Sequence, residues 1–574
     1  MGRLTAMALT AALAMAGTNG VHAQQAAIFS DRDLVHPVYG ANGMVASQEA
    51  LATEIGLDVL KNGGNAVDAA VSVAFALAVT LPRAGNLGGG GFMMVHDAES
   101  GETVAIDYRE MSGAAAFRDM YLDENGEADS QKSRFSGLAV GVPGTVAGMA
   151  LALERYGSMT LAEALAPAIE LAEDGIIVTE GLADSLNALT ERLQRWPSST
   201  EVFYKEGGAS YAPGETLVQA DLAASMKLIA EQGVDAFYQG PIAEKIVAAV
   251  GAADGHLTLD DFENYEVKLR EPVAGTYRGF EIASMPPPSS GGIHIVQILN
   301  TLEGVPMGYL GHNSADSIHM MAEAMKFAYA DRSEYLGDPD FVEVPIEALT
   351  SKVYAADSLS SISRGRAATA AEIGPADLTP YESNETTHFS VVDAEGNAVA
   401  NTYTINFSYG SGLVADGTGI LLNNELDDFS AKPGVPNAYG LIGGDANAVE
   451  ARKRPLSSMS PTIVLADGKP FLVTGSPGGS RIITTTLQVI MNVIDHGMNV
   501  AEATYAPRIH HQWLPDELRI EEGLSPDTIE LLEQRGQNVV VKNAMGSTQS
   551  IMVTEDGLYG ASDPRRVGAL TLGY

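Results

Sequence analysis

Residues 361–385 read SISRGRAATAAEIGPADLTPYESNE, and the abrupt change at their C-terminal end limits the possible folds more than any other feature. The stretch has few large apolar residues, two prolines and no sustained period. It predicts a solvated linker that cannot bury enough surface to order itself strongly. The texture then changes within one residue. Residues 386–392 (TTHFSVV) read as a strand, 393–397 hold a glycine-containing turn, and 398–406 read as a second strand. The fold must therefore accept a loose segment that ends at a threonine opening a central hairpin.

Around this break the chain mixes helix and strand throughout. Residues 46–60, 67–80, 146–156 and 161–172 carry helical periodicity, and the apolar run 69–79 predicts a buried helix. Asn313 or Ser314 is placed to cap a long helix to about Tyr335, with Ile318, Met321, Met325 and Ala328 on one stripe. No repeat of fixed period occurs.

Residues 1–23 predict a signal peptide: a basic start at Arg3, an apolar run from Leu4 to Gly17, then Val21 and Ala23 before Gln24. The run is shorter than the ~20 residues that span a bilayer. The expected mature protein is exported, periplasmic or secreted, and free of the membrane. Among 574 residues, 34 Lys+Arg oppose 73 Asp+Glu, a net charge of −39 that repels phosphate backbones and excludes nucleic-acid partners. Cysteine is absent, which removes disulfides, thiolate nucleophiles and Cys-ligated metals together.

Several familiar chemistries are also missing. There is no G-x-S-x-G elbow, no H-E-x-x-H or H-x-x-E-H among eleven histidines, and no Lys-Ser/Thr after the Gly88–Gly91 run. The four glycines predict close backbone packing near a site. The adjacent His510 and His511 predict a structural role rather than a metal site, and residues 286–292 (PPPSSGG) a rigid turn.

Thr386 differs from these. A threonine hydroxyl is a weak nucleophile that needs a base beside it. Cutting the chain between Glu385 and Thr386 would create an α-amino group within reach of the hydroxyl, with a pKa of ~8 suited to that work. Pairing across the turn brings together residues whose numbers sum to about 791, so Thr386 is expected opposite Ile405, one residue from Thr404. A bulge at Gly396 would bring Thr404 into register. Threonines in hairpins ordinarily serve β-propensity, so the pattern alone does not make either one catalytic.

The motifs in their order resemble those of the gamma-glutamyltransferases (gamma-glutamyltranspeptidases, glutathione hydrolases). They are residues 86–93 (NLGGGGFM), 107–110 (DYRE), 286–292, 386–390 (TTHFS), 421–429, 454–461 (RPLSSMSP) and 475–480 (GSPGGS). The resemblance runs from about Val35 to Tyr574. It implies an α+β N-terminal-nucleophile hydrolase built as a four-layer αββα sandwich. It also implies a precursor that cuts itself between Glu385 and Thr386, giving a large subunit 24–385 and a small subunit 386–574 that stay together as a heterodimer.

The same resemblance implies the site. Thr386 would be the nucleophile, Thr404 would orient it, and Gly478 and Gly479 would offer N–H groups to the oxyanion, donors worth ~3 kcal/mol each. Arg109, with Ser457 and Ser458, would hold the α-carboxylate of a γ-glutamyl group. Asp428, Glu425 and Asn406 would receive its α-ammonium, Glu425 standing where some family members carry Gln. Residues 433–444 (PGVPNAYGLIGG) resemble a lid loop, with Tyr439 as its gate. No metal or cofactor is implied. The expected substrates are glutathione and other γ-glutamyl donors, with water, an amino acid or a peptide as acceptor. The rival readings are a glutaryl or cephalosporin acylase of the same fold and a non-catalytic periplasmic binding protein.

Overall fold

The computed structural model describes residues 35–374, 386–435, 437 and 441–574. The signal-peptide expectation, the Glu385 side of the proposed cut and Tyr439 lie outside these residues.

Two seven-stranded antiparallel sheets face one another. The first runs, in spatial order, Leu570–Gly573, Met44–Ser47, Thr387–Val392, Ala398–Thr404, Gly90–Asp97, Glu102–Tyr108 and Lys268–Arg270. The second runs Val38–Gly40, Gly557–Ser562, Gln549–Thr554, Lys469–Thr474, Thr462–Ala466, Phe280–Ser284 and Val273–Tyr277. Between them lies a dry layer that includes Met44, Phe92, Met94, Met285, Val392, Ala400, Ile463, Val473 and Ile551. Helices cover the outer face of each sheet over a larger core. The architecture is the expected αββα sandwich.

Local sequence explains the helices that brace the first sheet. Ala66–Thr80 is buried along its whole length, as its continuous apolar run requires. Asn65 caps it and Asp68 closes a capping box, while Asp68 also accepts hydrogen bonds from Ser158 and Met159. The long helix Ala315–Tyr335 starts at Ser314, whose hydroxyl accepts from Ser317 N–H. The glycine run 88–91 packs as predicted: a Cβ at Gly89 would sit 2.1 Å from the Thr404 carbonyl oxygen, and one at Gly88 2.2 Å from that of Leu421. His510 bonds Thr484 and Gln512, and His511 faces Asp516, which gives both structural work.

Two expectations need correction. The hairpin pairs Thr387 with Tyr403 and Val392 with Ala398, a sum of 790 rather than 791. Asp393 N–H bonds the Asn397 carbonyl and the Asp393 carboxylate accepts from Glu395 and Asn397 N–H, so the five-residue turn itself sets the register. No bulge is needed. The second correction is that the first half of the expected loose linker is firmly held. Ala367 N–H bonds the Arg535 carbonyl, Lys326 and Glu323 grip Ala368 from both sides, and Ala370 is bonded by Trp513 and Asp516. The grip comes from buried side chains elsewhere, so the segment's own composition does not show it.

Candidate active site

A pocket opens where the 386–404 hairpin ends. Arg109, Arg332, Thr386, Thr404, Glu425, Asp428, Ser457, Ser458, Gly479 and Ser480 line it, with an apolar edge of Leu441, Leu456, Met459 and Ile482. Residues from distant stretches of sequence therefore converge on one cavity. Asn406 and Gly478 are not among the lining residues, though both adjoin ones that are. Asn406, at φ +71°, gives its amide to the Asn424 carbonyl and its backbone N–H to the Thr404 hydroxyl.

Thr386 stands at the end of a central strand and is only 6% exposed. Its hydroxyl donates to that of Thr404 across the hairpin at 3.4 Å, the pairing the 790 register dictates. Beside them, Gly478 and Gly479 hold φ of +133° and +58°, backbone that a side chain would strain. Their turn leads through Gly479–Arg481 into the helix Ile482–Ile494. A helix start carries the positive end of its dipole, so developing negative charge is favoured here.

Opposite lies a buried ionic cluster. The Arg109 guanidinium, fully buried, donates to Glu425, to Asp428 at 2.5 Å and to the Pro455 carbonyl at 3.1 Å. Its backbone is fixed as well: Arg109 N–H bonds Asp107 and its carbonyl accepts from Tyr265. Burial works against the Arg109 charge, but Glu425, Asp428 and Glu110 outweigh it and keep the guanidinium ionised. Burial likewise lifts the Glu425 and Asp428 carboxyls above the usual range, against the pull of Arg109. The two halves expected to divide a zwitterion thus neutralise each other in the free chain.

Ser457 and Ser458 arrive on the strand-like segment after Pro455. Ser457 N–H bonds the Pro288 carbonyl, and Ser290 N–H bonds the Ser457 carbonyl, so the rigid 286–292 turn holds them in place. Ser458 also reveals a residue that sequence reading missed. Arg332 donates to the hydroxyls of Ser290 at 3.0 Å and Ser458 at 3.3 Å. Burial pushes it down to about 10, and no carboxylate lies within ion-pair distance of it among the described residues. Its position was legible in principle: Arg332 continues the apolar stripe 318, 321, 325, 328, where a cation needs a reason. Glu110 was quoted within a motif and given no role, yet it is buried against Arg109 at 3.8 Å.

The parts define the chemistry. The paired hydroxyls of Thr386 and Thr404 share the pocket with a helix start suited to developing negative charge. A cation with two serines, and carboxylates beside them, can hold an α-carboxylate and an α-ammonium at fixed separation. No group of His, Cys, Asp and Glu among the described residues is arranged to hold a metal ion.

Comparison with known proteins points the same way. A family model described as Gamma-glutamyltranspeptidase matches residues 52–572. The chain is 61% identical to a glutathione hydrolase proenzyme of Escherichia coli (strain K12), over 95% of this chain and 94% of that one. Its fold is similar to a cephalosporin acylase from Bacillus halodurans, at TM-score 0.80 and 29% identity over 96% and 98% of the two chains. It is also similar to Helicobacter pylori gamma-glutamyltranspeptidase, at TM-score 0.57 and 43% identity, covering 60% of this chain and 97% of that one.

Proposed function

The chain belongs to the gamma-glutamyltranspeptidase family, and on that premise we propose that Thr386 is both the site of self-cleavage and the nucleophile that accepts a γ-glutamyl group. The activity is hydrolysis of glutathione and transfer from other γ-glutamyl compounds. The observation that carries the assignment is the Thr386–Thr404 hydroxyl contact in a pocket that also presents Arg109, Asp428, Ser457 and Ser458.

In the precursor the Thr386 hydroxyl attacks the preceding carbonyl, and an N-to-O shift followed by hydrolysis frees its amino group. That amine then takes the hydroxyl proton as Thr386 attacks the γ-carbonyl of the donor. Thr404 holds the hydroxyl in place. The turn at Gly478 and Gly479 receives the oxyanion, and the amine returns its proton to the departing nitrogen. Water, an amino acid or a peptide amine then takes the acyl group from the Thr386 ester by the same steps in reverse. Arg109, Ser457 and Ser458 take the donor's α-carboxylate; Asp428 and Glu425, with Asn406 behind them, take its α-ammonium. Tyr439 belongs to a segment we assign to covering the pocket.

Cleavage before Thr386 leaves a large subunit 24–385 and a small subunit 386–574 as a heterodimer. The match of one whole Helicobacter pylori chain to 60% of this one supports that reading. Export follows from the pattern of residues 1–23, and no helix among the described residues is long and apolar enough to cross a membrane. The acylase reading has a structural relative behind it, but glutaryl side chains can lack the α-ammonium that Asp428 and Glu425 are placed to receive.

Intact mass and N-terminal sequencing of purified protein test the proposal. Two chains are expected, the smaller starting at Thr386. Thr386→Ala should remain one chain without turnover, and efficient cleavage in that variant would end the assignment.

A further inference from the structure

Arg332 lines the pocket at only 4% exposure, and the groups it bonds are neutral hydroxyls. A buried cation is costly unless something answers its charge. The other arginine of the pocket has its answer: Arg109 touches both Glu425 and Asp428. Among the described residues no carboxylate lies within ion-pair distance of Arg332, and its Nη1 meets no hydrogen-bond acceptor.

The side chain is nonetheless firmly placed. It projects from the helix Ala315–Tyr335, where Tyr329, one turn earlier on the same face, donates to the carbonyl of Ser480 in the pocket wall. Arg332 Nε donates to Ser290 at 3.0 Å, and the Ser290 hydroxyl passes its own proton to the Ser457 carbonyl at 2.9 Å. Arg332 Nη2 donates to Ser458 at 3.3 Å. The Ser458 oxygen accepts from a cation, which turns its proton away from Arg332, and among the described residues that proton has no acceptor. A hydroxyl polarised in this way is a stronger donor than a free one. An anion is what this corner of the pocket is missing.

The charges agree. Glu425 and Asp428 both draw on Arg109, so that cluster suits an ammonium better than a carboxylate. Arg332 supplies the uncommitted positive charge on the Ser458 side. Burial lowers it to about 10, which leaves it a cation at neutral pH.

We propose that Arg332 is a positioning residue for the donor's α-carboxylate, turning the Ser458 hydroxyl toward it and adding the positive charge that Arg109 shares with Glu425 and Asp428. The proposal rests on the γ-glutamyl reading above for which anion enters.

The test compares γ-glutamyl-p-nitroanilide with its α-carboxamide analogue, which differs only at the group Arg332 serves. The readout is the ratio of kcat/KM for the acid to that for the amide, with processing confirmed first on a gel. Arg332→Met should lower this ratio about tenfold or more, mainly through KM for the acid, the scale of one hydrogen bond to a charged group. Arg332→Lys keeps the charge but not the fork that reaches both serines, and should lower the ratio about threefold. In a Ser458→Ala background, Arg332→Met should lower it by no more than about twofold further, because the route through the hydroxyl is already gone. An arginine that only braced the fold would slow both substrates alike and leave the ratio unchanged. A ratio in Arg332→Met within about twofold of wild type, or full additivity in the double variant, overturns the proposal. Should Arg332→Met fail to fold or process, Arg332→Lys decides, and a wild-type ratio in that variant overturns the proposal as well. A wild type that does not prefer the acid to the amide overturns the γ-glutamyl reading instead, so the two failures are told apart.

Discussion

Arg109 and Arg508 are both buried arginines facing carboxylates, but the carboxylates around them are treated differently. Near the C-terminal strands, Arg508 donates to Asp563 at 2.6 Å and to the carbonyls of Thr504 and Met545. Arg565 bridges Asp563 and Glu521, and the N–H groups of Thr548, Met545 and Arg508 supply further donors. Every oxygen of Asp563 and Glu521 therefore accepts at least two hydrogen bonds. In the pocket, Glu110 accepts none and Glu425 leaves one oxygen bare. The titration directions follow. Burial opposes the Asp563 charge, but Arg508 and Arg565 overcome it and hold the carboxyl below the usual range, whereas Glu110 is held above it. The carboxylates of the Arg508 cluster have their acceptors filled, although Arg508 Nε itself is left without a partner. Those of the pocket cluster leave acceptors open, which suits the ligand-binding role proposed for them.

The largest effect should come from breaking the complete cluster. Asp563→Ala strands Arg508 without its carboxylate in a buried site, a loss of about 3–5 kcal/mol. The urea midpoint should fall more than for any single change in the pocket. A midpoint within error of wild type would mean the cluster is not structural.

Breaking the pocket cluster should cost less stability and more selectivity. Asp428→Ala should lower kcat/KM on a γ-glutamyl anilide by roughly 30- to 150-fold, the ~2–3 kcal/mol of one charge-assisted contact. On the glutaryl anilide, which has no ammonium to lose, it should change little. Equal penalties on both acyl groups, or a wild type that prefers glutaryl, would favour the acylase reading.

The smallest effect sharpens the contrast between buried and exposed charge. Surface pairs such as Arg118–Asp445 and Lys205–Glu215 are open to solvent, and the chain carries −39 overall. Screening reaches down to ~3 Å at 1 M salt, which weakens those pairs but also relieves self-repulsion, and leaves the buried clusters untouched. Thermal midpoints should hold or rise modestly with NaCl. A steady fall would show that surface pairs outweigh the repulsion.

Much of the molecule was readable from its residues alone, for reasons that can be named. The hairpin showed because alternation and a glycine turn are local signals, and its register was off by one only because the Asp393 side chain closes the turn. The cap at Ser314 follows from residue type. The pinning of residues 367–370 was not readable, since Glu323, Lys326, Trp513, Asp516 and Arg535 lie far away in sequence. Glu110 and Arg332 escaped for a related reason. Their meaning depends on what buries them, and only Arg332, polar on an apolar stripe, left a mark in the pattern.

Each of the two facing sheets combines strands from before and after Thr386. In the first, the strands Thr387–Val392 and Ala398–Thr404 are flanked by Met44–Ser47 and Gly90–Asp97; in the second, Thr462–Ala466 lies against Phe280–Ser284. While the chain is continuous, these partners find each other within one molecule. If the bond before Thr386 is cut as proposed, the same hydrogen bonds must be re-formed by two molecules meeting in solution, and the effective concentration that a covalent tether supplies is gone. Unfolding then changes molecularity and its midpoint becomes dependent on protein concentration. The proposed cut would thus make reassembly depend on concentration where assembly of the precursor does not.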